Sequence, residues 1–453
     1  MRPSQPPSVR ARTIASDTLT PILAYRALAQ PGASCLLESV DAGGTLSRFS
    51  FVGLDYRAVK SFASTPTMYE EIRSFVDAHR PPGEAAPGGG ALLAFSYDAA
   101  RAKARLLARS PDPPEMPAAI AAIPGTWLIF DHYTHGLTLW CCGDNAGELD
   151  ARIDGYIARL LAARASLPGS FRARGAMHAS IDRSGYLALV DRAQRAITDG
   201  DVYQIQLGIR FHAELDGEPL DCYRALRRRN PSPYMFFVDT EFGALFGASP
   251  EFLVRLDGRR ARIRPLAGTR ARGASPESDA RIAAELLADE KERAEHVMLV
   301  DLGRNDLGSV CKLGSVRVEE LLQIERYSHV MHIVSDCVGE LRDECDALDL
   351  FAAGFPAGTV TGTPKIRAME LIDEWEPVTR GFYAGSVGRW SFEGDFDSCI
   401  TLRSLHAADG NIWWQASAGI VADSVPASEY AEIFQKTRIA REVLSIGEES
   451  FAR

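Results

Sequence analysis

Lysine is scarce in this 453-residue sequence, since only six of its 50 basic residues are Lys. The sequence also lacks an apolar run long enough to cross a bilayer, and its Pro-rich start, MRPSQPPSVRAR, lacks the apolar core of a signal peptide. The eight cysteines show no CxxC spacing, which is typical of reduced thiols rather than of a disulfide framework or a zinc site. These absences predict a cytoplasmic protein with no membrane partner.

Positive charge is also in deficit, with a formal net charge of −10. This balance argues against nucleic acid as the main partner. It leaves room for an anionic small substrate, because a bound metal or a few arginines reverse the field inside a cleft. Nucleotide-binding signatures are missing too. The run GTVTGTPK from Gly358 does not match GxxxxGK[ST], and no GxGxxG is present.

Two carboxylate pairs with the same spacing are the most informative feature that is present. Glu292 and Glu295 lie in DEKERAEH, and Glu429 and Glu432 lie in SEYAEIFQK. If both segments are helical, residues three apart share a face, and each pair points at one region. Carboxylates from two helices that meet at one place favour a hard cation such as Mg²⁺, which prefers oxygen ligands.

The order of the predicted elements indicates an α+β fold. Short β-rich runs follow one another rather than alternating with helices, which favours antiparallel sheets over a doubly wound fold. Residues 1–15 are predicted to be a flexible tail and 16–165 an amino-terminal region. Residues 166–180, rich in Pro, Gly and Ser, are predicted to be a linker, followed by a catalytic region at 181–446.

The segment GFPAGTVTGTPKIRAMELIDEWEP (354–377) predicts a helix start that faces a ligand. Thr363 is the predicted N-cap and Pro364 the first helical residue, with Gly358 and Gly362 in the approach. The N–H groups at such a start favour a carboxylate or phosphate.

Four further segments carry candidate site residues. Gly268 and Thr269 lie in RPLAGTRARG, where the backbone could approach a ligand, and His332 lies on an alternating strand. Arg403, predicted on a strand with apolar neighbours, should need a carboxylate partner. Tyr383 in RGFYAGSVG and the SAGI run at 417–420 complete the set.

Together these motifs resemble the chorismate-using enzymes, over about residues 20–446. The resemblance implies two interlocked α/β subdomains whose antiparallel sheets face each other across a cleft. It implies that Glu295 and Glu432 bind Mg²⁺, supported by Glu292 and Glu429, and that the metal holds the ring carboxylate of chorismate. It further implies a role for His332 at the ring and substrate contacts elsewhere, at Thr359, Tyr383, Arg403, Ser417, Ala418, Gly419, Gly268, Thr269 and Lys436.

Two positions distinguish the subfamilies that this sequence resembles. Relatives that add water to chorismate have a lysine base where this chain has Gln204, and a neutral amide cannot deprotonate water. Relatives that make aminodeoxychorismate have a lysine nucleophile in PIKGT, where this chain has Ala267. The resemblance therefore implies that ammonia adds at ring C2, that the C4 hydroxyl leaves, and that loss of pyruvate gives anthranilate.

The amino-terminal half resembles the tryptophan-binding part of the feedback-inhibited enzymes. The residues concerned lie in LLES, at Arg48 and in NPSPYMF, namely Glu38, Ser39, Arg48, Pro233, Tyr234 and Met235. The resemblance implies that tryptophan binds there and inhibits.

Several alternatives remain open at this point. The chain could release 2-amino-2-deoxyisochorismate without eliminating pyruvate, could be an aminodeoxychorismate synthase component I, or could be a catalytically silent tryptophan-binding regulator. The sequence has no GxCxG nucleophile turn of a glutaminase. Ammonia is therefore expected from a separate glutamine amidotransferase subunit, in a hetero-oligomer.

Overall fold

A computed structural model describes residues 7–39, 48–82, 88–104, 106, 116–326 and 330–445. The helices in these ranges are α1 Pro21–Leu28, α2 Met68–Ala78, α3 Ala146–Ala162, α4 Arg183–Thr198, α5 Pro219–Arg229, α6 Pro276–Ala288, α7 Glu290–Gly308, α8 Ala347–Gly354, α9 Lys365–Trp375 and α10 Pro426–Val443. Short 3₁₀ turns cover Tyr97–Ala102 and Gly358–Val360.

The strands begin at the amino terminus and recur along the whole chain. They are β1 Ser8–Ala15, β2 Ser34–Glu38, β3 Phe49–Phe62, β4 Gly90–Phe95, β5 Ala119–Asp131, β6 Gly136–Gly143, β7 Arg172–Ala179, β8 Gln204–Asp216, β9 Tyr234–Thr240, β10 Gly243–Ser249, β11 Phe252–Asp257, β12 Arg260–Ile263, β13 Leu266–Ala271, β14 Arg317–Arg326, β15 Val330–Glu340, β16 Gly362–Thr363, β17 Ser386–Ser391, β18 Phe396–Ile400, β19 Ser404–Ala408 and β20 Asn411–Ile420.

Two long strands, β3 and β5, join two antiparallel sheets. The end of β5 pairs with β6, and the sheet continues through β3, β2, β9, β10, β19, β20 and β8 to β7. The start of β5 pairs with β4, and that sheet continues through β17, β18, β11 and β12 to β15, which also pairs with β13 and β14. The predicted α+β class with interlocked antiparallel sheets is confirmed.

The two predicted regions are interleaved in space. Strands β2 and β4, from the first region, pair with β9 and β17 of the second. The predictions of a tail and a linker are wrong in part, because residues 8–15 form β1, paired with β6, and residues 172–179 form β7, paired with β8. Both are held by partners far away in the sequence, which local composition does not reveal. Residues 1–6 and 446 lie outside the described ranges.

The core is divided among three main apolar clusters. The first packs α1, α3, α4, α5 and α10 on the sheet that contains β8 and β20. The second packs α2, α7 and α8 against the sheet that contains β4 and β11. The third lies between the sheets and includes Cys35, Trp127 and Phe236. All eight cysteines are buried and free, as expected. None of the helices in the described ranges is long and apolar enough to cross a membrane.

Candidate active site

The four predicted metal-site carboxylates lie on two helices. Glu292 and Glu295 are on α7, while Glu429 and Glu432 are on α10. Burial raises the pKa of Glu295, and the charges of Glu292 and Glu432 raise it further. Burial also raises the pKa of Glu429, with Glu432 again contributing. The effect of Glu432 on Glu295 brings one carboxylate of each helix within electrostatic range of the other.

Each of three carboxylates also has a positively charged or amide partner. Gln204 Nε2 donates to Glu295 Oε1 over 2.9 Å, so strand β8 holds the end of that side chain. Arg270 Nη1 lies 2.7 Å from Glu292 Oε1, and Lys436 Nζ lies 2.7 Å from Glu432 Oε1. The hydrogen bond from Gln204 stabilises the ionised form of Glu295 and partly offsets burial.

The donor set suits a cation that keeps open positions for other ligands. Within the described ranges, no three His, Cys, Asp or Glu side chains lie close enough to form a complete ligand set. Mg²⁺ needs only one or two protein carboxylates, because waters and substrate oxygens fill its octahedron. A cation beside Glu295 would also offset the burial and the carboxylate repulsion that together raise the pKa of that residue.

His332 is held in one tautomer beside the turn at Gly268. Its Nδ1 lies 3.0 Å from Gly268 O and 3.0 Å from Thr269 Oγ1. Because a carbonyl only accepts, Nδ1 carries the proton and Nε2 carries the lone pair. Burial lowers the pKa of His332 to about 4, so the ring is neutral at physiological pH. The geometry supplies a base at Nε2.

Position 268 favours glycine because its backbone has a positive φ and a carboxylate lies close to it. Its φ is +66°, and a Cβ there would lie 3.1 Å from Glu292 Oε2. A side chain would therefore meet both backbone strain and the metal-site carboxylate. The turn therefore places both the hydrogen bond of His332 and the carboxylate of Glu292 next to Gly268.

Tyr383 and Ser417 are linked to each other and, through Ser417, to helix α10. Tyr383 is buried, and its hydroxyl lies 2.7 Å from Ser417 Oγ, which donates to Gln206 Oε1 over 2.9 Å. Lys436 Nζ donates to Ser417 O over 2.9 Å and also pairs with Glu432. The residues predicted to hold the pyruvyl carboxylate are thus linked to the predicted metal site. Gln206 did not figure in the sequence prediction.

The backbone at Gly419 approaches two amides closely. A Cβ on Gly419 would lie 2.9 Å from Gln204 Nε2 and 2.8 Å from Gln206 Nε2, so glycine leaves that space open. Ala418 points its methyl group into the first core and can contribute only its backbone. The SAGI run therefore presents its backbone and Ser417 to the site.

A buried carboxyl that the sequence did not reveal lies next to Thr359. Thr359 Oγ1 donates to Glu251 Oε1 over 3.3 Å, and both residues line a cavity of about 30 Å³ beside Leu299 of α7. Burial raises the pKa of Glu251 to about 8, so it is mostly protonated at neutral pH. The sequence signal was a single carboxylate in the apolar run FGASPEFLV. Its protonation depends on burial by distant segments.

Two local predictions about the site were wrong. Arg403 is not on a strand. It lies exposed between β18 and β19 with a φ of +49°, although its charge does help to lower the pKa of His332. Helix α9 begins at Lys365 with Pro364 as N-cap and no side-chain cap. Thr363 instead belongs to β16 and pairs with Gln204 of β8. Its backbone therefore takes part in strand pairing and is not available as a helix cap.

A buried ion pair holds several of these segments together. Arg380 Nη2 donates to Glu376 Oε1 over 2.7 Å and to Gln206 O over 2.9 Å, and Arg380 Nη1 donates to Val360 O over 2.7 Å. The amide of Gly208 donates to Glu376 Oε1 over 2.8 Å. The pair fixes β8 and the backbone after Thr359 relative to each other. The sequence around Arg380 gives no sign of this role, which is evident only from the hydrogen-bond partners of Arg380 in the structure.

The predicted tryptophan-binding residues lie close together around β2 and β9. Glu38 pairs with Met235 across these strands. Its buried carboxylate accepts from Tyr223 and from two nitrogens of Arg227. Ser39 Oγ is buried without a hydrogen-bond partner among the described residues.

The other predicted effector residues are engaged with the protein itself. Tyr234 donates to Asp397 over 2.8 Å, and its neighbour Pro233 is buried. Arg48 is mostly exposed and pairs with Asp131 over 2.8 Å. Residues 40–47, between Ser39 and Arg48, lie outside the described ranges.

Comparison with known proteins identifies the family. The profile of the chorismate binding enzymes matches residues 34–442. The chain therefore belongs to the chorismate binding enzyme family. It is 41% identical to anthranilate synthase component 1 of Thermus thermophilus, covering 96% of this chain and 98% of that protein. Identity to anthranilate synthase component 1 of Streptomyces coelicolor is 42%, covering 93% and 86%.

A solved structure gives the same result. The chain superimposes on anthranilate synthase component I from Streptococcus pneumoniae with a TM-score of 0.79 and 31% identity, covering 95% of this chain and 99% of that chain. The predicted family and fold are confirmed.

Proposed function

We propose that this chain is the chorismate-converting component of an anthranilate synthase. In the proposed reaction, chorismate and ammonia give anthranilate, pyruvate and water. The hydrogen bond from Gln204 to Glu295 carries the proposal, because it places a neutral amide beside the metal-site carboxylates where a water-adding relative has a base. The similarity to anthranilate synthase components over nearly the whole chain supports it.

The metal in this proposal is Mg²⁺, held by Glu295 and Glu432. Glu292 and Glu429 support these ligands through the charge of the site. The bound ion supplies positive charge that attracts the ring carboxylate of chorismate. Tyr383, Ser417 and the backbone at Gly419 hold the second carboxylate, on the pyruvyl group.

In the first step the ring accepts nitrogen and loses oxygen. The lone pair of ammonia forms a bond to ring C2, the two ring double bonds shift, the C4–O bond breaks, and the new ammonium group on C2 loses a proton to solvent. The departing oxygen needs a proton, and Glu251 is protonated because burial raises its pKa to about 8. Glu251 therefore acts as the general acid, and the oxygen leaves as water.

In the second step the ring becomes aromatic. Nε2 of His332 accepts the proton from C2, the electron pair forms a ring double bond, and the C3–O bond breaks so that pyruvate leaves as its enolate, which takes up a proton from water. The hydrogen bond from Nδ1 to Gly268 O keeps the lone pair on Nε2 for this purpose. Burial lowers the pKa of His332 and keeps the ring neutral beforehand, and the charge of Arg403 lowers this pKa further.

The ammonia comes from a glutamine amidotransferase subunit in the proposed assembly. The component numbering in the names of the relatives supports a two-component enzyme. Such a chain works in the cytoplasm as part of a hetero-oligomer.

Tryptophan is the proposed inhibitor, and it binds away from the metal. The convergence of Glu38, Ser39 and Met235 supports this site. A ligand amino group could share the carboxylate of Glu38, and the side chain of Ser39 offers a hydrogen bond.

Product analysis tests the reaction directly. The purified chain is incubated with chorismate, Mg²⁺ and an ammonium salt at mildly alkaline pH, and products are separated by chromatography. We expect anthranilate and pyruvate in equal amounts, and neither product without Mg²⁺ or without ammonia. A non-aromatic amino acid without pyruvate would instead identify a synthase that releases 2-amino-2-deoxyisochorismate. Isochorismate or salicylate as the main product would overturn the role of ammonia.

A further inference from the structure

A second cavity shares a wall with the predicted substrate site. That wall is Tyr383, which lines the cavity and whose hydroxyl meets Ser417 over 2.7 Å. The cavity has a volume of about 40 Å³. Its other lining residues are Met116, Arg210, Leu245, Arg380, Gly381, Phe382, Ser404, Leu405, His406, Trp413, Trp414 and Gln415. The proposed reaction uses none of its polar groups except Tyr383.

Two buried acceptors in the lining have no donor among the described residues. His406 Nε2 donates to Phe242 O over 2.7 Å, which leaves the lone pair on Nδ1. Burial lowers the pKa of His406 to about 4, so that lone pair is not protonated. No described residue donates to His406 Nδ1 or to Gln415 Oε1. Both residues are buried, with 7% of the surface of His406 and 6% of that of Gln415 exposed. An unsatisfied buried acceptor is costly, and two at one cavity indicate a ligand that donates hydrogen bonds.

The position of Gln415 ties the cavity to the strand that carries the site. Its Nε2 lies 2.9 Å from where a Cβ of Gly208 would be, so the amide packs over the β8 backbone. Gly208 faces Ser417 in the register of β8 and β20. Gln415 is therefore two residues from Ser417 and on the same side of β20.

The size and charge of the cavity restrict the ligand. A water-sized molecule needs roughly 10–15 Å³, so the space of about 40 Å³ holds about three such molecules. The lining includes Arg210 and Arg380 and no carboxylate-bearing residue among the described ones. This composition disfavours a cation such as ammonium and favours a small neutral donor.

We propose that this cavity binds ammonia and holds it next to Tyr383 before it enters the cleft. His406 Nδ1 and Gln415 Oε1 accept its N–H bonds. The inference rests on the proposed ammonia-dependent reaction. Water has the same hydrogen-bonding chemistry, so the experiment must distinguish ammonia from water.

The test is the Gln415→Leu variant of the full chain, assayed with ammonium salts, chorismate and Mg²⁺. We expect the KM for ammonia to rise about fivefold, the effect of losing one neutral hydrogen bond. The KM for chorismate should stay unchanged, because Gln415 is not among the residues proposed to bind it. The melting temperature should stay the same or rise, since the change removes an unsatisfied buried acceptor.

Two more variants make the result decisive. Trp390→Phe is the matched control, because it removes another buried polar atom with no described partner, in the second core, and should leave both KM values unchanged. Ser404→Val narrows the cavity and should also raise the KM for ammonia, which gives a readout if Gln415→Leu does not fold. An unchanged KM for ammonia in a folded variant would show that the cavity holds water only. A wild-type chain that makes no anthranilate from ammonia would overturn the proposed function instead.

Discussion

Gln204 and Glu295 lie 91 residues apart in the chain, and the amide of Gln204 donates to the carboxylate over 2.9 Å. The contact joins β8 to α7, and it connects the residue that is proposed to favour ammonia over water as nucleophile to a predicted metal ligand. Gln204 thus has two proposed consequences. Its neutral amide stands where water-adding relatives have a base. Its hydrogen bond also favours the ionised state of Glu295, which is the state that binds a cation.

Replacing a metal ligand should have the largest effect on turnover. Glu295→Gln or Glu432→Gln should lower kcat/KM by roughly 10²-fold or more, because the charge stabilisation by the metal is worth several kcal/mol. Glu292→Gln and Glu429→Gln should have milder effects, as expected for supporting residues. Steady-state rates over a Mg²⁺ titration provide the measurement.

The control for this series is Glu285→Gln. Glu285 is exposed on α6 and pairs with Arg281 on the same helix, so its loss should leave the Mg²⁺ dependence unchanged. Full activity of Glu432→Gln at saturating Mg²⁺ would remove the metal-site assignment.

The pH dependence of turnover should report the protonation of Glu251. Burial raises its pKa to about 8, and an acid works only while protonated, so kcat should fall as the pH rises through about 8. Glu251→Gln should lower kcat by roughly 10²-fold or more and abolish this limb. Thr359 donates to the carboxylate and lowers its pKa, so Thr359→Val should move the limb to higher pH. A limb that persists unchanged in Glu251→Gln would assign it to another group.

Tryptophan is expected to bind outside the cleft and, from that site, to lower the affinity of the chain for chorismate. By linkage, chorismate must weaken tryptophan binding by the same factor that tryptophan weakens chorismate binding. Ser39→Phe should abolish inhibition and leave uninhibited turnover nearly intact, because it fills the space beside Glu38 without touching the cleft. Ser61→Phe, at an exposed position of β3, is the control. Calorimetry that detects no binding of tryptophan at millimolar concentration would contradict the site.

Breaking the buried ion pair should cost stability. Both side chains of Arg380 and Glu376 are almost completely buried, at 1% and 2% exposure. Arg380→Met should lower the free energy of unfolding by about 3–5 kcal/mol, because it leaves an uncompensated carboxylate. Chemical denaturation measures this loss. Arg192→Met, at an exposed pair with Glu374, should cost less than about 1 kcal/mol. Equal losses in both variants would show that Arg380 does not organise the site.

Spacing within a helix was sufficient to predict the carboxylate pairs. Residues i and i+3 share a face wherever a helix forms, so the sequence alone pairs Glu292 with Glu295 and Glu429 with Glu432. The turn at Gly268 and the strand that carries His332 were likewise evident in the local pattern. These features depend on backbone geometry over a few residues.

Other features depended on partners distant in sequence. Thr363 has the chemistry of an N-cap, yet its backbone pairs with Gln204 in β16. Residues 8–15 have the composition of a tail, yet they pair with β6. In both cases a strand more than a hundred residues away supplies the hydrogen bonds, and local propensity carries no information about it.

The family, the antiparallel α+β class and the two helical carboxylate pairs follow from residue types at short spacing in the sequence. Folding sets the effect of Glu432 on Glu295, the burial that raises the pKa of Glu251, and the cavity that His406 and Gln415 share. Burial and Coulomb interactions fall off over a few ångströms in space and are blind to separation along the chain. The chemistry of each group in this site is therefore set by neighbours that become neighbours only on folding.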